Sequence, residues 1–390
     1  MKNIFIAIVT VFVLIGTLIG CESIQKVVTP ETPGAPEPLD TVKIGFLASG
    51  SRTTYPNGGQ IAVAEVNATG GLLGMTVELV TEVGIPTPDA AVEAASKMIL
   101  DDDVIALVGP NRSSHAIPVG ALVEEHSLPM ITTTATNPSL TNTSDFVFMA
   151  AFTDEYQGAV LARFAIEELD LTSAALLTLS GDVYSEGIAE FFVTNFTAAG
   201  GTIAATEPYR IVDTDFTEQL TRIAAATPEV LFIAGWVQHV GFITQQARAV
   251  PLLNAAGEPT IFLGADSWDS PILFEDEDAE IEGSFFSGHF SVETDRPGGK
   301  AFVDAYRAAY GELPLGGHAV SYDATKVLLA AIQRAGSFDG EAIRDQLAAT
   351  KNYTGATDIA GYDENRHPTK SAVIFTIKDG KKQFYKQIDP

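Results

Sequence analysis

Two clusters of hydroxyl residues stand where a ligand anion could be held. The stretch from Leu107 to Thr136 reads LVGPNRSSHAIPVGALVEEHSLPMITTTAT. An apolar run, Val104 to Val108, turns through Gly109 and Pro110 and delivers Ser113 and Ser114 just ahead of a helical pattern carrying Ile117, Ala121 and Leu122. A second apolar run, Leu128 to Ile131, opens into Thr132, Thr133, Thr134, Ala135 and Thr136 before the break at Asn137 and Pro138. If these runs are neighbouring parallel strands, both clusters share the C-terminal edge of one sheet, where open α/β sheets bind ligands. Free N–H groups and the positive end of a helix dipole at Ser113 favour an anion, and the hydroxyls add donors. Taken alone, Ser113 also fits a helix N-cap, and the threonines fit a strand.

Other loops carry groups of complementary character. Tyr55 follows the first apolar run, Tyr184 follows Ser173 to Leu179, and Trp236 follows Val230 to Ala234. Asp266 and Trp268 follow Thr260 to Leu263 in the run LGADSWDSP. Each lies just past a strand's expected C-terminal end, which would line two facing edges with aromatic rings and one carboxylate. Asp266 can accept charge-assisted hydrogen bonds from a cation, and the rings offer cation–π or apolar contact. Singly, each aromatic residue suits ordinary loop packing; the shared placement of these loops carries the binding reading. Catalytic signatures are missing: there is no G-x-S-x-G, G-x-x-x-x-G-K-[ST], G-x-G-x-x-G or H-E-x-x-H. His115, His126, His239, His289, His318 and His367 are scattered without ligand spacing, so neither a metal, a cofactor nor an enzyme is expected.

Composition narrows the partners. The 390 residues, 46% hydrophobic, suffice for one large or two medium α/β domains. A net charge of −27 would be repelled by nucleic acid and by anionic lipid surfaces. Residues 1–20 read as a targeting segment, with Lys2 ahead of an apolar core from Ile4 to Ile19. They end in Leu18-Ile19-Gly20-Cys21, which resembles a bacterial lipobox and places the chain's one cysteine where a lipid would be attached. Residues 21–41, with Pro30, Pro33, Pro36 and Pro38, read as an extended tether.

The elements that must position these residues alternate in type. Strands are expected at Val42–Leu47, Met75–Thr81, Val104–Val108 and Phe146–Ala150, with helices through Ile61 and Val66, over Asp89–Leu100 and over Tyr156–Leu169. A second array begins at Ser173–Leu179 and continues with strands at Thr202–Thr206, Val230–Ala234 and Thr260–Leu263. Its helices fall at Ser185–Ala199, Phe216–Ala226 and His239–Val250. Helices at Lys300–Tyr310, Ser321–Ala335 and Glu341–Thr350 and strands at Ala372–Ile377 and Gln383–Lys386 complete the chain. Strand–helix alternation with short loops implies mostly parallel sheets. Two lobes are favoured over one long sheet.

From Val42 nearly to its end the chain resembles the substrate-binding proteins of leucine/isoleucine/valine-type ABC importers. The resemblance is carried, in order, by AVAEVNATGGLLG (Ala62–Gly74), VGPNRSSHA (Val108–Ala116), ITTTATNPSLT (Ile131–Thr141), GDVYSEGIAEFF (Gly181–Phe192), DFTEQLTRI (Asp215–Ile223), LGADSWDSP (Leu263–Pro271) and AFVDAYRAAYGELP (Ala301–Pro314). It implies a two-lobed type I periplasmic binding fold, each lobe a mostly parallel sheet flanked by helices, with three crossovers. The lobes would comprise residues 42–152 with 288–351 and residues 153–287 with 352–390. It also implies that Ser113 and the Thr134–Ala135–Thr136 loop hold an amino acid's α-carboxylate, that Asp266 holds its ammonium, and that Tyr55, Tyr184 and Trp236 wall the pocket; Ser114 and Trp268 join these ligand-binding candidates from their places in the same loops. Two departures stand out: the family commonly has a longer acidic residue at Asp266, and Arg112 and His115 flank the serines where small residues are usual. Arg112 offers a second anion contact, which keeps an acidic ligand open.

The expected function is that of an extracytoplasmic lipoprotein, anchored through Cys21, that captures a neutral or aliphatic amino acid by hinge closure and delivers it to a membrane permease. An amide, urea or aromatic carboxylate ligand, a sensory role feeding a receptor, and a hydrolase are the alternatives. Asp266→Ala is expected to abolish amino-acid binding with little change in melting of the ligand-free protein.

Overall fold

The computed structural model describes residues 40–274 and 280–390. The targeting segment, Cys21 and all but the last two residues of the tether lie outside these residues. A first, five-stranded parallel sheet is built from β1 (Thr41–Ser49), β2 (Thr76–Ile85), β3 (Leu107–Val108), β4 (Met130–Thr132) and β5 (Val147–Met149), in the order β2-β1-β3-β4-β5. Three helices connect these strands: α1 (Pro56–Ala68), α2 (Pro88–Leu100) and α3 (Ser113–Glu125). Both faces of β1 are covered, Ile44 and Phe46 by one apolar cluster and Leu47 by another, which explains its unbroken apolar run. Thr87 starts α2 by accepting the Ala90 N–H at 3.2 Å. β3 is shorter than its apolar run. It ends at Gly109, where φ is +87° and an added Cβ would lie 2.2 Å from the Leu47 carbonyl oxygen. Only glycine fits that turn.

A second sheet gathers β6 (Ser173–Leu179), β7 (Thr202–Tyr209), β8 (Val230–Ala234), β9 (Ile261–Gly264), β10 (Phe285–Gly288), β14 (Ala372–Lys378) and β15 (Lys381–Ile388). Its seven strands run in the order β15-β14-β10-β9-β8-β6-β7, with β14 antiparallel to both neighbours. Around it pack α4 (Asp154–Arg163), which continues into a π-helical turn, α5 (Val183–Ala198), α6 (Thr217–Ala225) and α7 (Val240–Ala249). Two separate sheets, each with its own core, replace the single long sheet that the helix count also allowed.

Between β10 and β14 the chain returns to the first lobe as α8 (Pro297–Tyr310), α9 (Gly316–Ala335) and α10 (Gly340–Ala348). A small antiparallel sheet follows, of β11 (Lys351–Thr354), β12 (Asp358–Tyr362) and β13 (Pro368–Thr369). Val320, Ile332, Ile343 and Ile359 share a buried cluster with Ile44 and Phe46. The return expected at residue 352 is therefore corrected: β11 to β13 pack on the first lobe, and the passage back falls at Lys370 and Ser371. Arg366 fixes this arrangement by donating to the carbonyl oxygens of Thr141, Ser144 and Val147. The chain thus passes between the sheets three times, after β5, after β10 and after β13.

Candidate functional site

The C-terminal edges of the two sheets face one another across one cavity. From the first lobe Arg52, Tyr55, Asn111, Ser113, Thr134 and Gly317 reach it; from the second come Tyr184, Trp236, Asp266, Ser267 and Asp269, and His289 enters from the passage after β10. Six of the sequence-derived candidates, Tyr55, Ser113, Thr134, Tyr184, Trp236 and Asp266, are brought to this one cavity.

On the first lobe, Ser113 begins α3, and Arg112 before it provides no side-chain cap. The Ser113 hydroxyl instead accepts the Asn137 N–H at 3.2 Å, which leaves its proton free and the first turn of α3 open to an anion. Asn111 accepts the Ser49 N–H at 2.6 Å through Oδ1, so its amide nitrogen remains a donor. Tyr55 is buried against Gly317, where an added Cβ would lie 2.0 Å from the tyrosine Cζ. Burial, which outweighs the nearby Arg52 charge, keeps the Tyr55 hydroxyl protonated.

The second lobe supplies the carboxylate. Asp266 Oδ1 accepts from Gln157 Nε2 at 3.0 Å and from the Tyr184 hydroxyl at 2.8 Å, and Oδ2 pairs with His289 Nε2 at 3.1 Å. Burial opposes ionisation of Asp266, but the His289 hydrogen bond and the other donors prevail and hold its carboxyl below the ordinary range. Tyr184 is pushed well above its ordinary value, chiefly by burial and then by the Asp266 charge, so its proton stays in place. Asp269 Oδ2 accepts the Gly316 N–H at 3.0 Å, and Oδ1 pairs with Lys382. That carboxylate ties the start of α9 to the second lobe.

Four candidates sit elsewhere. Trp268 is fully buried in the second lobe's core, packed over Gly264 and 6.1 Å from the Phe286 ring, and it does not line the cavity. The tight turn Asp266–Trp268 sends the carboxylate to the cleft and the indole inward. Ser114 bonds His115 Nδ1 at 3.2 Å, and burial followed by the Arg112 charge lowers that histidine to about 4. Ala135 belongs to an apolar cluster with Leu140 and Met149. Thr136 lies behind the cavity wall, its hydroxyl buried without a partner.

Arg52, Asn111, Ser267, Asp269, His289 and Gly317 line the cavity without having been singled out in the sequence for this role. Arg52 and Asn111 stand within three residues of chosen positions, and Ser267 and Asp269 flank Trp268, so the loops were right and the side chains incomplete. His289 carried no signal, because it follows the four-residue strand β10 that the periodicity does not reveal.

The pattern of the periplasmic binding protein family matches residues 41–382. A Leu/Ile/Val-binding protein of Rhizobium johnstonii is 30% identical over 352 residues, covering 87% of this chain and 92% of its own length. The crystal structure of a leucine-binding protein from Thermotoga maritima superposes with a TM-score of 0.81 at 32% identity, covering 90% of this chain and 99% of that one. A branched-chain amino acid transporter substrate-binding protein from Streptococcus pneumoniae, solved with isoleucine, gives 0.81 at 28% identity over 90% and 100% of the two chains.

Proposed function

This chain belongs to the periplasmic binding protein family, and from that membership we propose that it captures a free amino acid in the interlobe cleft for an ABC importer. One observation carries the reading: Ser113 at the uncapped start of α3 and the ionised Asp266 face the same cavity from opposite lobes. An α-carboxylate suits the first and an α-ammonium the second. Tyr55, Tyr184 and Trp236 enclose what lies between. A ligand held by both lobes favours the closed form, because only there are both sets of contacts made. A membrane permease then reads closure. The relatives described as binding leucine, isoleucine and valine support the amino-acid class.

The reading extends to the chain's start: residues 1–20 are removed, Cys21 carries the lipid, and the proline-rich tether lets the lobes work at an extracytoplasmic membrane face. Among the described residues no helix is long and apolar enough to cross a membrane. The bound molecule is released unchanged rather than turned over. Titration calorimetry against a panel of L-amino acids, amides and aromatic carboxylates tests the proposal, with mass spectrometry of any co-purifying molecule. Amino acids should bind at one site per chain and be recovered intact; binding confined to amides or aromatic acids would overturn the role given to Asp266.

A further inference from the structure

We propose that the cleft also takes amino acids whose side chain ends in a carboxylate, with Arg52 as the residue that selects it. This inference rests on the amino-acid reading above and concerns the part of the cavity that Ser113 and Asp266 leave free. Apart from three aromatic rings and Gly317, the residues lining the cavity are polar or charged, and none is aliphatic. The charges there are unevenly matched. Asp266 is held by Gln157, Tyr184 and His289, and Asp269 by Lys382 and the Gly316 N–H. Arg52 donates through Nη2 to the Ser267 carbonyl oxygen at 3.3 Å and stands 5.8 Å from the Tyr55 ring centre. Among the described residues, no carboxylate lies within ion-pair distance of it. Arg112 has none either, and its guanidinium carbon lies 4.4 Å from the Trp236 ring centre. In a chain with 50 acidic and 23 basic residues, a guanidinium that lines the ligand cavity without a carboxylate in ion-pair contact stands out.

At the cleft edge the Arg52 guanidinium, with no counter-charge in contact, offers an incoming anion a charge-assisted pair. A side-chain carboxylate supplies the charge and fits the planar fork through two parallel hydrogen bonds. The Asn111 amide nitrogen, left free by the Ser49 bond, adds a neutral donor. A zwitterion with a distal carboxylate would then find one partner for each charge: the start of α3 and Ser113, Asp266, and Arg52. An aliphatic ligand uses only the first two. It leaves Arg52, which is half-buried, in contact with water at the cleft edge.

Calorimetry of the intact protein with L-glutamate, L-glutamine and L-leucine, repeated for Arg52→Gln and Arg52→Lys, tests this. Glutamate should bind more tightly than glutamine. Arg52→Gln should weaken glutamate about tenfold to a hundredfold, the range for one charge-assisted pair, and weaken it more than leucine, which loses only the Arg52 bond to the Ser267 carbonyl oxygen across the cleft. Arg52→Lys should restore part of the loss, and melting of each variant without ligand shows that it is folded. Leucine binding with no glutamate binding would overturn the inference and leave the amino-acid reading standing. So would an Arg52→Gln variant that weakens glutamate and leucine equally. Failure of every amino acid to bind would remove the amino-acid reading and this inference with it.

Discussion

The guanidinium carbon of Arg112 lies 4.4 Å from the ring centre of Trp236, so a cation from the first lobe rests on an indole of the second. Trp236 in turn packs on Tyr184 at 5.1 Å between ring centres. The Arg112–Trp236 contact spans the cleft and exists only when the lobes are together. A partly desolvated cation–π pair contributes about 0.5–2 kcal/mol. Arg112→Gln, which keeps much of the side chain's length and removes its charge, should lower ligand affinity about twofold to thirtyfold. It should also raise the radius of gyration of the ligand-free protein in small-angle scattering. An unchanged affinity and radius would show that the pair does not stabilise closure.

Asp266 is more than a ligand contact. Gln157, Tyr184 and His289 all depend on its carboxylate, so the sequence-based expectation that Asp266→Ala leaves melting nearly unchanged does not survive the structure. Removing an acceptor that serves three buried donors should cost about 2 kcal/mol or more. Asp266→Asn, which keeps an acceptor oxygen, should melt closer to the wild type while still losing the ammonium. The pH dependence has a definite sign. Because the folded carboxyl is held below its ordinary value, its contribution is fully present above about pH 4 and is lost as pH falls through the depressed value. Differential scanning between pH 3 and 7 should show the wild type losing stability relative to Asp266→Asn only at the acid end.

Asp154 titrates in the opposite sense. It is fully buried at the start of α4, and neither carboxylate oxygen has a hydrogen-bond partner. Burial, the largest cause, pushes its carboxyl well above the ordinary range against the pull of the nearby Thr136 hydroxyl, and the charges of Asp266 and Asp182 add to the rise. The folded protein therefore keeps a proton that the unfolded chain releases above about pH 4, and stability falls as pH rises through the window between the two values. Asp154→Asn removes that loss. Its melting temperature should match the wild type near pH 4 and exceed it at pH 7. Equal melting at both pH values would mean that an unseen partner stabilises the ionised form.

What the sequence disclosed depended on how many residues carried each signal. β6 and β8 match their expected limits, Ser173–Leu179 and Val230–Ala234, because the apolar runs are buried on both faces and end at turn residues. β10 has four residues, two of them Ser287 and Gly288, and β11 to β13 alternate through Gly355, Asp358 and Gly361 without an apolar stripe. Such strands exist because neighbours supply the packing, which a single chain's periodicity does not record. At the site, position after a strand located the right loops. It could not say that Asp266 turns outward and Trp268 inward within one three-residue turn, nor that Gly317, far along the chain, makes room for Tyr55.

Lys370 lies in the third passage between the lobes and ties it to the first. Its buried Nζ donates to the Ala150 carbonyl oxygen at 2.7 Å and to Thr357 Oγ1 at 3.0 Å. Asp323 of α9 stands nearby, accepting from the Tyr353 hydroxyl at 2.7 Å and from the Thr357 N–H at 2.6 Å. Burial lowers Lys370 to about 8; Asp323 and Asp358 oppose that shift and Arg296 adds to it. An unfolded lysine holds its proton to about pH 10.4, so between about pH 8 and that value the unfolded chain binds more protons than the folded one. Stability should therefore rise with pH across this window, with a slope of at most about 1.4 kcal/mol per pH unit from this group. Lys370→Met should abolish the rise, because it has no proton to lose. It should also lower stability at pH 7 by about 1–3 kcal/mol, since the Ala150 carbonyl and Asp323 lose a buried donor and a nearby charge. Urea unfolding followed by circular dichroism from pH 7 to 10 measures both effects. A rise that persists in Lys370→Met would assign the titration to another group.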